Sequence, residues 1–355
     1  MPDVKPKIET LANIKVVGVG GSGTSAVNWM VESRKIRGVE FIAMNTDSQA
    51  LYHSVVPTKL HIGKMTTKGL GAGMDPELGR KSAEENQNEI RDLLKGADMV
   101  FVTCGFGGGT GTGASPIIAQ IARDMGALTV AVMTKPFSFE GNQRKAIADA
   151  GLQELQERVD AVIVIPNDRI LQIIDKKTPL LDAFATVNDV LRQGVQGISD
   201  IITVHGLTNV DFADVKAVMK EAGSALMGIG EGKGENRAIE AARRAISCPL
   251  LDVSIDGAKG ILFTITGGKD VTMHEVSEAA KIITGSADPQ AKIIYGVVVE
   301  PDMKDCVKIT VVATGFPNVR IPELHKDPNF SPPPFLAKIK KNIPETPKLP
   351  ERKNS

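Results

Sequence analysis

Cysteine is scarce in this chain. Cys104, Cys248 and Cys306 stand far apart and are odd in number, which excludes a disulfide framework and a cysteine-based metal cluster and fits a reducing compartment. No apolar run approaches the roughly 20 residues needed to span a bilayer. Residues 1–7 read Met-Pro-Asp-Val-Lys-Pro-Lys and hold no apolar stretch of signal-peptide type. The expectation is a cytoplasmic protein with no direct membrane insertion, so any membrane attachment needs a partner. Formal net charge is zero, and nothing in that balance points to nucleic acid. No Lys-Ser or Lys-Thr follows the richest glycine run, so the P-loop signature is absent.

Glycine, by contrast, is clustered. Gly105-Phe106-Gly107-Gly108-Gly109-Thr110-Gly111-Thr112-Gly113 follows an apolar run, 97–104, that reads as a buried strand, and precedes a run that reads as a helix. Glycine lets main-chain N–H groups point at a ligand. At a helix N-terminus those groups lack partners and the dipole is positive, which makes an anion site. Phosphate here must be held largely by backbone and by the hydroxyls of Thr110 and Thr112. A second turn, Gly18-Val19-Gly20-Gly21-Ser22-Gly23, matches the dinucleotide fingerprint between a strand and a helix. That fingerprint wants an acid ending the second strand, and Asp47 is a slightly late candidate. Two phosphate-cradling turns in one sheet fit a triphosphate better than a dehydrogenase cofactor. A third turn, Gly69-Leu70-Gly71-Ala72-Gly73-Met74-Asp75-Pro76-Glu77, leads into a helix. Asp75 caps that helix on one reading, with Pro76 in its first turn; on the other, the loop senses a terminal phosphate.

A chain of 355 residues suggests two domains. Apolar strands are expected at 14–18, 39–44, 59–62, 97–104, 128–133 and 161–165. Helical patterns separate them, among them a polar helix over 77–94 and another over 142–157. This argues a parallel sheet covered on both faces, with ligands at the carboxyl ends of the strands. A long helix opens near Pro179, with Phe184, Val187, Leu191, Val195, Ile198 and Ile202 on one apolar stripe. A loop covers 203–209 and a second helix begins near Asp211. From about Gly223 the pattern changes to a smaller α+β unit, with helices near 235–247 and 271–283 and strands near 260–267, 291–300 and 306–314. Residues 317–355 hold nine of the chain's 20 prolines, and such a segment cannot bury enough apolar surface to order itself. It is a solvated tail or, through Phe335-Leu336-Ala337-Lys338-Ile339-Lys340-Lys341, a short motif for a partner.

Two pairs of charged residues have competing readings. Glu140 and Arg144 lie four apart at a helix start. They form a surface ion pair, or the carboxylate takes ribose hydroxyls while the guanidinium meets phosphate. Asp211 and Asp214 share a helix face. They are an N-cap and a dipole-favoured acid, or one polarises a water while the other orients it or helps hold a cation.

In this order the segments resemble the FtsZ family, bacterial relatives of tubulin. The resemblance runs over about residues 13–316 and includes 107–113, Thr134-Lys135-Pro136-Phe137, Ile165-Pro166-Asn167-Asp168, 180–184, 209–215 and 311–316. It implies a parallel-sheet GTP-binding domain (13–178) after an N-terminal extension (1–12). A central helix (179–203), a smaller α+β GTPase-activating domain (204–316) and the tail (317–355) follow. It implies GTP and GDP as ligands with Mg²⁺ bridging phosphate oxygens, and no metal site built by the protein. Gly20, Gly21, Ser22, Ser25, Gly71, Ala72, Gly73 and Gly107, Gly108, Gly109, Thr110, Gly111 and Thr112 belong to the nucleotide loops. By the same resemblance Glu140 meets the ribose, Arg144 lies near the phosphates, Asn167 joins the site, Phe184 stacks on guanine and Asp189 bonds its edge. The hydrolysing acids come from the next subunit, which here means Asp211 and Asp214, with Asn209 beside them. The implied function is a GTPase that polymerises head to tail for cell division at the division site, with membrane-adaptor or division proteins as partners of the tail. A shape or positioning filament and a monomeric dehydrogenase-type enzyme are the alternatives. The chain departs from the family at Ser25, where an Asn is usual, and at Trp29, where a basic residue is usual.

Overall fold

Ile14–Val19 (β1) is buried at all six positions. Even Lys15 is drawn in, its amine donating to the Leu93 carbonyl at 2.6 Å and pairing with Glu40 at 3.1 Å. The computed structural model describes residues 12–171, 174–175, 177–203, 210–248, 255–300 and 303–316. After β1 come Gly20–Ser33 (α1), Val39–Asn45 (β2), Ser48–His53 (α2), Thr58–His61 (β3), Lys64–Thr67 (α3), Pro76–Glu85 (α4) and Gln87–Leu94 (α5). Then follow Met99–Gly105 (β4), Thr110–Asp124 (α6), Leu128–Lys135 (β5), Asn142–Gln156 (α7), Ala161–Pro166 (β6) and Asn167–Ile170 (α8). The remainder is Leu180–Thr203 (α9), Phe212–Met219 (α10), Gly223–Lys233 (β7), Arg237–Ile246 (α11), Gly260–Gly267 (β8), Met273–Thr284 (α12), Lys292–Val299 (β9) and Cys306–Thr314 (β10).

The expected helix over 77–94 is two helices, broken at Asn86. That side chain accepts from Gly63 N at 2.8 Å and donates to Glu89 at 3.1 Å. Its backbone, at φ −110 and ψ 27, leaves the helical region. A short polar side chain that bonds nearby backbone competes with helix continuation.

All ten strands form one sheet in the order β3-β2-β1-β4-β5-β6-β7-β10-β8-β9. From β3 to β7 every neighbour is parallel; β10 runs antiparallel to both β7 and β8, and β8 pairs β9 in parallel. The parallel half matches the expectation from the apolar runs. The bridging strand is new. Gly223–Lys233, where the sequence shows only a change of pattern, is an eleven-residue strand joining the two halves. Its glycines at 228, 230 and 232 all face α11. A Cβ there would sit 1.9 Å from Ala245 O, 2.0 Å from Ala241 O and 2.0 Å from Arg237 O respectively. These glycines are therefore a packing surface rather than turns, and the buried alanines 238, 241, 242 and 245 complete the close approach.

One apolar core lies between the sheet and α1, α9 and α10; the opposite face is covered by α5, α6 and α7. The α9 stripe forms as expected, with Val187, Leu191, Val195 and Ile198 buried and Ile202 partly so, while Phe184 stays half exposed. Residues 1–11, 204–209 and the tail 317–355 lie outside the described residues.

Farther along α9, Asp200 is partly buried. Burial, and then the Glu300 carboxylate, push it up to about 6, against a hydrogen bond from Gln196 and the charges of Lys308 and Arg192. A carboxyl raised in the folded state stabilises the fold below its ordinary range, and that contribution is lost as pH rises through about 6. Asp200→Asn is expected to raise stability by on the order of 2 kcal/mol at pH 8, with the gain shrinking steadily toward pH 5. Urea unfolding at the two pH values checks this.

Candidate nucleotide site

Side-chain caps are distributed unevenly. Asp47, Asp75, Asp211 and Thr272 cap α2, α4, α10 and α12 with their own oxygens. α1 and α6 are among the helices that have no side-chain cap. These two start at the carboxyl ends of neighbouring strands, β1 and β4, so their unpartnered N–H groups and positive dipole ends point to one place. A cleft of about 440 Å³ lies there.

Its floor is glycine and small residues. Gly21, Ser22, Gly108, Gly109, Thr110 and Gly111 line it, with Ala72 and Gly73 closing one side. Two of these glycines decide what the cleft is for. A Cβ on Gly21 or Gly108 would meet nothing within 4 Å, and neither has a positive φ. Neither packing nor backbone conformation requires glycine there, so the space is kept for a ligand that comes against the backbone. Other glycines serve the scaffold. Gly20 has φ +71, and a Cβ on it would sit 2.9 Å from Gly111 N. Gly107 has φ +99 and packs against the Arg144 backbone. Thr110 shares a 2.6 Å hydroxyl contact with buried Thr46.

The far wall is aromatic and charged. Phe137 stacks on Phe139 at 5.0 Å and meets Phe184 edge-on at 6.1 Å; all three line the cleft. Phe139 is 71% exposed and Phe184 47%, an apolar surface with room for a flat ring. Arg144 donates to Glu140 at 2.5 Å, and Glu140 also accepts from Phe137 N at 2.9 Å. The expected ion pair is real, and both partners face the cleft. Asn167 is buried, lines the cleft and has no hydrogen-bond partner for its Oδ1. A buried orphan acceptor of that kind calls for a donor from a ligand or water.

Residues 13–175 match the Tubulin/FtsZ family, GTPase domain, and residues 223–317 the FtsZ family, C-terminal domain. An empty FtsZ dimer of M. jannaschii is 44% identical, with 86% of this chain and 89% of that one covered at a TM-score of 0.82. The chain belongs to the FtsZ family. It is a GTPase of the tubulin superfamily, and the GTPase-domain match spans every cleft residue but Phe184. A GTPγS-bound protofilament of CetZ2 from Haloferax volcanii is 21% identical, covers 85% of this chain and 92% of its own, and has a TM-score of 0.72. CetZ1 from the same organism, as a GDP-bound monomer, is 22% identical at 0.75, covering 87% and 96%. These two likenesses show the shared fold.

Membership of the FtsZ family overturns the dehydrogenase alternative. Asp47, its ribose candidate, has Oδ1 occupied by Gln49 N at 2.8 Å and Ala50 N at 3.1 Å. Asp75 caps α4 through Glu77 N at 2.9 Å, while Ala72 and Gly73 of the same loop still reach the cleft.

Several expected site residues are not among those that line the cleft. Thr112 is buried and accepts from Gly107 N at 3.0 Å, so it braces the glycine loop. Gly71, at φ +82, sits in the turn before Ala72. Ser25 is exposed on α1, one turn beyond Ser22. Asp189 is on α9, bonded to Arg192, Gln193 and Trp29. Gly105, Phe106, Thr134, Pro136, Phe137 and Phe139 also line the cleft, although no pattern in the sequence marks them individually as ligand contacts. The alternation Phe137-Ser138-Phe139 beside Glu140 is the signal that could have found the aromatic pair.

Asp211 and Asp214 do not line the cleft. Asp211 caps α10 by accepting from Ala213 N at 3.2 Å, and Asp214 is exposed in the first turn. The chain leaving α10 is tied to the amino end of β6. Glu221 N donates to Asp160 Oδ1 at 3.4 Å and Gly223 N to Asp160 O at 2.9 Å. The cleft lies at the carboxyl ends of β1, β4, β5 and β6. Asn209 lies outside the described residues.

Proposed function

We propose that this GTPase assembles head to tail into filaments that serve cell division, and that each bound GTP is cleaved with Asp211 and Asp214 of the next copy. One observation carries the reading. The cleft is at the carboxyl ends of the strands, the residues that follow α10 are tied to the amino end of β6, and neither acid of α10 lines the cleft. Acids that do not reach the cleft of their own copy meet one in another copy, and such a heterologous contact leaves both ends open for further addition.

Within one copy, the backbone N–H groups opening α1 and α6 hold phosphate oxygens. Thr110 adds a hydroxyl, Arg144 lies at the phosphates and Glu140 accepts from ribose. The base lies along Phe184, with Asp189 toward its edge and Asn167 Oδ1 taking a donor. Water then attacks the terminal phosphorus, the bond to the bridging oxygen breaks, and GDP and phosphate leave. Asp214 takes the water's proton while Asp211 orients the attack. Capping and catalysis coexist at Asp211, because Oδ1 is bound to Ala213 N and Oδ2 remains to accept from water.

Magnesium is expected with a nucleoside triphosphate. Among the described residues no three His, Cys, Asp or Glu side chains gather to hold a cation. No step here passes through a metal ion. Residues 13–178 and 204–316 act in this scheme as nucleotide-binding and activating parts, joined by 179–203. No helix among the described residues is long and apolar enough to cross a membrane. We place the protein in the cytoplasm, with the tail 317–355 as the segment for membrane-adaptor or division partners.

A dilution series tests the scheme, with GTP turnover and light scattering read on the same samples. Turnover per protomer is expected to rise steeply at the concentration where scattering begins. Constant turnover in dilute, unassembled protein would refute it.

A further inference from the structure

Trp29 is the chain's one tryptophan, and it is half-buried where α1 packs on α9. Its indole N–H donates to Asp189 Oδ1 at 3.4 Å. The same oxygen accepts from Arg192 Nε at 2.7 Å, and Oδ2 accepts from Gln193 Nε2 at 2.6 Å. Arg192 and Gln193 belong to Asp189's own helix, three and four residues on. Trp29 is the hydrogen bond that reaches it from α1. On α1, Ser22, Ser25 and Trp29 fall at i, i+3 and i+7, one face of the helix. That face begins at the cleft floor with Ser22 and ends at the Asp189 carboxylate.

We infer that Trp29 is a positioning residue for base recognition, setting the free acceptor of the Asp189 carboxylate against the exocyclic amine on the N–H edge of guanine. The inference rests on the reading, made above, that Asp189 meets that edge. A carboxylate offers about four acceptor directions. Arg192, Trp29 and Gln193 take three of them, which aims the remaining one. The Asp189 side chain is still 35% exposed, so a ligand can reach it. Burial pushes its pKa up, but the bonds from Arg192, Gln193 and Trp29 outweigh this and hold the carboxyl below the usual range. The group is therefore an acceptor at neutral pH. Arg192 and Gln193 hold one oxygen each, but both belong to the carboxylate's own helix and fix it only relative to α9; Trp29 is the donor from another helix and ties the base-reading group to the helix that carries the phosphate loop.

The test compares GDP with inosine diphosphate, which lacks the exocyclic amine of guanine, by calorimetry on the full chain. Wild-type protein, Trp29→Phe and Asp189→Asn are measured. Thermal unfolding confirms that each variant is folded. Trp29→Phe keeps an aromatic ring in the same space but removes the donor. It is expected to weaken GDP roughly fivefold, the effect of one hydrogen bond, while the inosine nucleotide shifts less than twofold. Asp189→Asn is expected to abolish the preference for GDP. Preference retained in Asp189→Asn overturns the reading of Asp189 and this inference with it. Preference lost in Asp189→Asn but unchanged in Trp29→Phe overturns the inference alone, as does an equal weakening of both nucleotides. Trp29 emission provides a second readout without a label, and the inference expects a larger change with GDP than with the inosine nucleotide.

Discussion

Asp214→Ala is expected to bind GTP with wild-type affinity and to cleave it about 10²–10⁴-fold more slowly, the range for removing a general base. The side chain is exposed in the first turn of α10 and does not line the cleft of its own copy. Its loss therefore leaves the phosphate-holding loops intact. The cost to the fold is small, of the order of the 0.3–1 kcal/mol that an acid contributes at a helix N-terminus. A purely capping role predicts something different: slightly lower stability and unchanged hydrolysis. Equilibrium binding, single-turnover cleavage and thermal unfolding on one preparation separate the two. Wild-type cleavage in Asp214→Ala would remove the residue from the chemistry. Asp211→Ala loses the bond to Ala213 N as well, so its effect mixes capping with catalysis.

Gly108→Val is expected to leave the fold untouched and to weaken GTP binding at least 100-fold. The substituted side chain would meet no protein atom near its Cβ, and the backbone there is not in the left-handed region. It would instead fill the cleft floor at the opening of α6. Removing two charge-assisted hydrogen bonds from backbone N–H to phosphate costs about 3–6 kcal/mol, which is about two to four decades in affinity. The contrast is Gly113→Ala. Its Cβ would sit 1.9 Å from Pro76 O, so that variant should unfold rather than merely fail to bind. Calorimetric GTP titration with parallel thermal unfolding checks both. Normal affinity in Gly108→Val would mean that phosphate is held elsewhere.

The glycine floor of the cleft was legible in the sequence because glycine clusters between an apolar run and a helical pattern have one economical explanation. The parallel half of the sheet was legible for a similar reason: buried strands read as continuous apolar runs. β7 was not, because Gly228, Gly230 and Gly232 look like turn residues until α11 is seen packed on them. The break at Asn86 depends on a partner, Gly63, that is 23 residues away in the chain. Thr112 and Asp189 carry the expected residue types, but whether a side chain faces a ligand or a neighbour is set by tertiary contacts such as Gly107 N on Thr112 Oγ1 and Trp29 on Asp189. The two readings of Asp211 could not be separated by pattern, since an N-cap and a water-orienting acid place the same residue at the same position; the structure shows the cap.

Mixing the two variants addresses the shared site most directly. Gly108→Val retains both acids but cannot hold GTP; Asp214→Ala holds GTP but lacks the base. Each alone should be nearly inactive. Combined at equal concentration, they should regain GTP cleavage well above either parent, because a Gly108→Val copy lends its Asp214 to the GTP held by its neighbour. A mixture that sediments together yet stays as inactive as its components would contradict a cleft completed by the next copy.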